Sequence, residues 1–219
     1  MIGIARNSIE LSSLENYLKK INANSATFAC DLSSENQIAL TADKITNDFP
    51  LIHGLIHNAG IIGPVGSMFN VETNLWNETI QVNLLAVQQL TKLLYPSMVN
   101  AQRCRVTTIS SGAAVNSLES WSAYCTSKAG LEMWTRSLAD EGSSHGISAV
   151  SVAPGIVDTD MQATIRSVSV DDFPMVERFI GFHNNGDLVA PDIVADSLYE
   201  LMTNHSMDCL LYTSPSPRD

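Results

Sequence analysis

Apolar residues along the chain alternate between short unbroken runs and stripes at helical spacing. Residues 2–5 form the first run, and Leu11, Leu14, Leu18 and Ile21 then recur three or four positions apart, the period of one helix face. Asn7 stands where a helix cap is expected, with Glu10 three positions on in the capping-box place. Residues 26–30 read as a strand closing on Asp31, and Ser33 opens a second helix with Ile38, Ala42, Ile45 and Phe49 on one face. Further strands are predicted over 51–57, 105–109 and 148–152, and further helices over 74–98, 121–141 and 192–203. Strand and helix therefore alternate, and the strands are nearly continuous in apolar residues, which predicts burial on both faces. The fold class expected is α/β: a doubly wound parallel sheet of Rossmann type in a single domain.

At 219 residues the chain can bury a sizeable core without metal or disulfide. Its 12 Lys and Arg against 23 Asp and Glu give a net charge of −11, which repels phosphate backbones and anionic membrane surfaces. Neither nucleic acid nor membrane is expected as a partner. Cys30, Cys104, Cys125 and Cys209 are scattered without a Cys-x-x-Cys pair, and the histidines have no ligand spacing, so neither a metal site nor a disulfide framework is expected. Residues 1–11 lack the apolar stretch of a signal peptide, and no apolar run reaches the length of a membrane span, which points to a cytoplasmic protein.

Tyr124 and Lys128 are four positions apart near the start of a predicted helix, so both side chains project from one face toward a common site. The pair alone is a spacing that chance supplies readily. Ser110 and Ser111, however, lie at the C-terminal end of the predicted strand 105–109, where parallel α/β sheets place their ligand crevice. Ser111 stands thirteen residues before Tyr124.

With three further segments, these residues resemble the classical short-chain dehydrogenase/reductase family, whose motif is Tyr-x-x-x-Lys with an upstream Ser. Asn58-Ala59-Gly60 matches the family's Asn-Ala-Gly motif, Asn83 its helix asparagine, and Pro154-Gly155-Ile156-Val157-Asp158-Thr159 its Pro-Gly-x-x-x-Thr segment. The resemblance covers residues 2–208 and implies an oxidoreductase that moves a hydride between a nicotinamide cofactor and a small carbonyl or alcohol substrate. It casts Tyr124 as proton donor, Ser111 as hydrogen-bond donor to the substrate oxygen, Lys128 as the cation beside the phenol, and Asn83 as holder of a proton-relaying water. Electrostatics agrees with the pairing. An ammonium about 4 Å from a phenol, at an effective dielectric of about 20, favours the phenolate by roughly 4 kcal/mol, or about three pKa units.

The resemblance also implies a cofactor site. Arg6 stands beside Ala5, where NAD-dependent relatives carry an acid, and a guanidinium suits a 2′-phosphate, so NADP is expected. Asp31 and Leu32 match the segment that contacts adenine, and Val157 and Thr159 the positions that bond the carboxamide. Asn58, Ala59, Gly60, Tyr124, Lys128, Pro154 and Gly155 complete the cofactor-binding set. His57 departs from the Asn that most relatives carry there and reads as a tolerated strand-end residue. Two helices, around 84–94 and 131–138, form the subunit interface in the family, so a homo-oligomer is expected at full length. Residues 156–190 correspond to the variable substrate lid, where Met161, Phe173, Met175 and Phe179 suggest an apolar carbonyl compound. Asp172-Phe173-Pro174-Met175-Val176, together with residues 57–64, is similar to the sepiapterin- and benzil-reductase branch.

Both ends depart from the family pattern. Gly3 is the only glycine before Gly54, and residues 2–6 align with the family's second strand, so a first strand and glycine-rich pyrophosphate turn have no counterpart. The expectation is a truncated reductase domain over 1–208. Residues 209–219 turn abruptly to Ser and Pro and resemble a translated sequencing adaptor, a tail of non-native look. Two rival readings are a non-catalytic, dinucleotide-sensing member of the fold and a fragment inactive as written. Joint retention of Asn83, Ser111, Tyr124 and Lys128 argues against the first.

Overall fold

A computed structural model describes residues 1–6 and 8–204. Strands and helices alternate as β1 (Ile2–Ala5), α1 (Ile9–Ile21), β2 (Ala26–Ala29), α2 (Glu35–Asp48), β3 (Gly54–His57), α3 (Thr73–Ile80), α4 (Ala86–Asn100), β4 (Cys104–Ile109), α5 (Ser122–Gly142) and β5 (Ile147–Val152). Three helices follow: α6 (Asp160–Arg166), α7 (Val176–Asn184) and α8 (Pro191–Asn204). Every strand pairing is parallel. β1 pairs with β2, β4 lies between β3 and β5, and no pairing joins the two sheets among the described residues. One core nevertheless spans both. Ile38 and Ile45 of α2 and Leu90, Leu94 and Met98 of α4 pack with Val106 and Ala149, and Ile2, Ile4 and Phe28 of the small sheet pack against the same cluster. The result is one α/β domain of Rossmann type. β4 and β5 are buried along nearly their whole length, which accounts for their unbroken apolar sequences.

Several expected boundaries move. α1 is capped by Ser8, whose hydroxyl accepts from Leu11 N at 3.1 Å; Asn7 lies outside the described residues, as do residues 205–219 with Cys209 and the Ser/Pro stretch. Of the stripe on α1, Leu11 and Leu18 are buried while Leu14 and Ile21 are exposed, because a sheet two strands wide covers only part of the helix face. α2 is capped by Ser34 rather than Ser33, since Ser33 gives both its N–H and its hydroxyl to the Asp31 carboxylate, at 2.9 and 2.8 Å. The third strand is shorter than expected: Ile52 N leaves the ladder to bond Ser97 O on α4 at 3.0 Å. The long helix predicted over 74–98 is interrupted by a π-helical turn, Gln81–Leu85. No helix among the described residues is long and apolar enough to cross a membrane, and Cys30, Cys104 and Cys125 are unpaired thiols.

His57 closes β3 and is buried, with Nε2 2.8 Å from Thr91 Oγ1 on α4 and Trp134 of α5 against its edge, ring centroids 6.3 Å apart. The side chain serves the packing of the two helices on the sheet. Burial holds the imidazole down to about 4, whereas an unfolded chain titrates near 6.5. Below about 6.5 the unfolded chain therefore takes up a proton that the fold refuses until about 4, so stability is full above that window and is lost as pH falls through it. The loss attributable to His57 is about 3 kcal/mol. Urea unfolding at neutral pH and at about pH 4.5 is expected to show a smaller loss for His57→Gln than for the parent chain; parallel pH curves would remove His57 from the account.

Candidate active site

Within each sheet the strands run in one direction, so the segments that leave β3, β4 and β5 at their C-terminal ends emerge on one side of that sheet, and Asn58, Ser111 and Pro154 follow them there. Tyr124 and Lys128 occupy the first turns of α5 and are both buried. Ser111 follows β4 with its Oγ accepting from Ala113 N at 3.2 Å, and its hydroxyl is hydrogen-bonded to the Tyr124 phenol. Lys128 Nζ donates to Ile109 O, the last carbonyl of β4, at 2.7 Å, and stands 5.6 Å from the centre of the Tyr124 ring. Asn58, Ala59 and Gly60 leave β3 beside them. A Cβ at Gly60 would lie 3.4 Å from Asn83 Oδ1 and 3.5 Å from Lys128 Nζ, so glycine keeps the space next to the ammonium clear.

The electrostatic expectation is corrected. Burial pushes the Tyr124 phenol above its ordinary pKa, opposed by the hydrogen bond from Ser111, and burial brings Lys128 down to about 8. Loss of solvent penalises each charged form, and the phenol and the ammonium move toward neutrality together. Lys128 directs its donor at Ile109 O rather than at the phenol.

Asn83 lies in the π turn and is 1% exposed. Its Oδ1 accepts from Ile61 N at 2.8 Å, while Nδ2 donates to Ile61 O at 2.9 Å and to Ser127 Oγ at 3.0 Å. Ser127 in turn donates to Tyr124 O at 2.8 Å. The amide thus clamps the loop after β3 to the helix that carries Tyr124 and Lys128. Sequence reasoning missed Ser127, although its position three residues after Tyr124, on the same helix face, was a usable signal. It also missed the Ile109 carbonyl, which has no sequence signature.

The residues expected to hold a dinucleotide fall in two groups. Arg6, exposed after β1, is near enough to Asp31 for its charge to help hold that carboxyl below its ordinary range, although the bonds from Ser33 contribute more. Leu32, next to Asp31, is half-buried against the main core. At the other end, Pro154 and Gly155 follow β5; Gly155 has φ +80° with nothing within 4 Å of a Cβ built on it, an open backbone that only glycine adopts without strain. Val157 is bridged to Val189, and Thr159, exposed at the start of α6, makes no cap bond. The first group offers a cation and an acid and the second open backbone at Gly155, a set of groups compatible with a dinucleotide.

Residues 1–169 match the short chain dehydrogenase family. The chain belongs to the short-chain dehydrogenases. It is 36% identical over 182 residues to a benzil reductase ((S)-benzoin forming) of Bacillus subtilis, covering 82% of this chain and 75% of that one. A benzil reductase of Bacillus cereus is 32% identical over 210 residues, covering 92% and 83%. Among solved structures, the KRED1-Pglu enzyme superposes with a TM-score of 0.85 at 30% identity, over 95% of this chain and 85% of that one. The branch resemblance is therefore to the benzil reductases.

In this short-chain dehydrogenase a second hydrophobic cluster, separate from the main core, includes Tyr124. Trp121 and Tyr124 of the α5 start pack with Ile165, Phe173, Val176, Phe179 and Phe182 from the segment after Thr159, and Met161 and Met175 flank them. The four lid residues singled out by sequence are all present here. Trp121 was missed, although it precedes Tyr124 by three positions. No cluster of potential metal ligands occurs among the described residues.

Asn83→Ala would strip partners from both backbone groups of Ile61 and from Ser127. The expected cost is about 2–4 kcal/mol, or roughly 5–15 °C in melting temperature for a domain of this size. A thermal melt measures it, and an unchanged melting temperature would show that the clamp contributes nothing.

Proposed function

We propose that this short-chain dehydrogenase is an NADPH-dependent reductase of apolar, aromatic carbonyl compounds. The observation that carries the reading is the state of Tyr124: a phenol buried in an aromatic cluster, bonded to Ser111, and held above its ordinary pKa by burial. Such a phenol keeps its proton at neutral pH, as suits an acid that protonates a developing alkoxide. When bound, the nicotinamide supplies a hydride to the carbonyl carbon. Tyr124 Oη gives its proton to the carbonyl oxygen as negative charge builds there. Ser111 Oγ accepts from Ala113 N, and its own hydrogen, bonded to the phenol before substrate arrives, is the donor available to the same oxygen. Lys128, fixed on Ile109 O, is the cation behind the ring that steadies the phenolate left after transfer. Asn83 acts through position, by holding Ile61 and Ser127.

The preference for NADP rests on Arg6, an exposed guanidinium at the end of β1, where two parallel hydrogen bonds to a 2′-phosphate are available. The aromatic class of substrate is supported by the Trp121, Phe173 and Phe179 cluster that includes Tyr124 and by likeness to the two Bacillus benzil reductases.

Two substitutions test the reading. Tyr124→Phe should lower the reduction rate by about 100-fold or more while NADPH affinity stays within about threefold; an equal loss of binding would contradict the acid role. Arg6→Ala should narrow the preference for NADPH over NADH by about tenfold, through cofactor Kd and not through turnover. A parent enzyme that prefers NADH would refute that assignment.

A further inference from the structure

Three side chains of α5 meet the end of β4. Thr135 and Thr108 bring their hydroxyls to 2.8 Å, Lys128 Nζ donates to Ile109 O at 2.7 Å, and Glu132 Oε2 accepts from Ser110 Oγ at 3.3 Å. Of these only the last reaches beyond the strand, to the residue that precedes Ser111. Ser110 is buried, and its N–H donates to Val152 O of β5 at 2.7 Å. Two of the groups around its Cα are therefore held, one by β5 and one by α5, so the carbonyl that leads to Ser111 leaves in a fixed direction. Packing alone does not call for an acid at position 132. The side chain of Glu132 is 14% exposed, and a carboxylate in such a place costs desolvation that an apolar side chain would not. That cost is offset by two hydrogen bonds, the one from Ser110 and another from Arg136 Nη2 to Oε1 at 2.8 Å.

Under the reductase reading, on which this inference rests, the Ser111 hydroxyl serves the Tyr124 phenol before substrate arrives and the carbonyl oxygen afterwards, so its aim bears directly on the rate. We propose that Glu132 is a positioning residue for this reaction: by holding the Ser110 hydroxyl it fixes the peptide that joins Ser110 to Ser111, and thereby the place of Ser111 Oγ. Glu132 acts on Ser111 only through Ser110. The role differs from that of Asn83, which ties the helix carrying the phenol to the loop after β3, whereas Glu132 sets the hydroxyl that the phenol meets. Without Glu132, Ser110 stays on β5 through its N–H while its side chain and the next peptide gain freedom, so the loss falls on the chemical step and not on the sheet.

With benzil as the carbonyl probe, Glu132→Ala is expected to lower kcat about tenfold while KM and NADPH Kd stay within about threefold. Glu132→Gln keeps an oxygen for the Ser110 hydroxyl and should recover most of that loss. Ser110→Ala deletes a single oxygen atom and serves where Glu132→Ala folds poorly. It should match Glu132→Ala, and the double variant should be no slower than either single one, since both remove the same contact. A crystal structure of Glu132→Ala or Ser110→Ala supplies a readout that needs no turnover: Ser111 Oγ should lie out of hydrogen-bond reach of the Tyr124 phenol. Parent kcat in Glu132→Ala, equal losses in Glu132→Ala and Glu132→Gln, losses that multiply in the double variant, or a Ser111–Tyr124 bond that persists in the crystal would each overturn the role of Glu132 and leave the reductase reading intact. A parent chain that reduces no aromatic carbonyl compound refutes the reductase reading instead, and the crystal structure then decides whether Glu132 places Ser111.

Discussion

The side-chain amide of Asn83 connects pieces of chain that are 22 and 44 residues apart, and the geometry of the site follows from that connection. The amide's two ends between them hold both backbone groups of Ile61, Oδ1 the N–H and Nδ2 the carbonyl, which fixes the course of the chain after β3. Nδ2 also reaches Ser127, and through Ser127 the Tyr124 carbonyl. Because Lys128 is separately tied to the last carbonyl of β4, α5 is anchored to the sheet at one point and to the neighbouring loop at another. The phenol is thereby placed by contacts none of which touches its hydroxyl. Side chains held this way lose little further freedom when a reaction begins, which is what a positioned acid requires.

Two hydrophobic clusters divide the labour. The main core joins both sheets to α2 and α4, whereas the second joins the start of α5 and the loops after β3 and β4 to the segment carrying α6 and α7. Rings in the second cluster meet at 5.3 to 5.8 Å. Because the clusters are separate, the packing about Tyr124 can be remodelled to suit a substrate without disturbing the packing that holds the sheet. Buried polar side chains around the sheet form pairs such as His57 with Thr91 and Thr108 with Thr135.

Much of this was legible in the sequence. β4 and β5 are read correctly because strands covered on both faces must be apolar throughout, and α5 because its motif residues share one face. Tyr124, Lys128, Ser111 and Asn83 meet as their pattern implies. What escaped has physical reasons. A π turn inserts one residue without altering hydropathy, so nothing in the apolar pattern marks 81–85. Ser33 and Ser34 are equally good caps by composition, and the choice falls to an Asp31 carboxylate that recruits Ser33 first. The opposite shifts of expectation and finding at Tyr124 arise because charge proximity can be read from spacing, whereas burial, the larger influence here, depends on the whole fold.

The π turn at Gln81–Leu85 also sets a rule of length. On its far side, Ala86, Leu90, Leu94 and Met98 face the core, and on its near side Thr79 is buried, so the two halves keep separate phases that the turn reconciles around Asn83. Removing one residue would rotate everything beyond it by roughly 100°. Either Asn83 would leave Ile61 or the α4 stripe would leave the sheet; both cannot be kept. Between Thr73 and Asn100 the chain therefore tolerates exchange of residues far better than any change in their number.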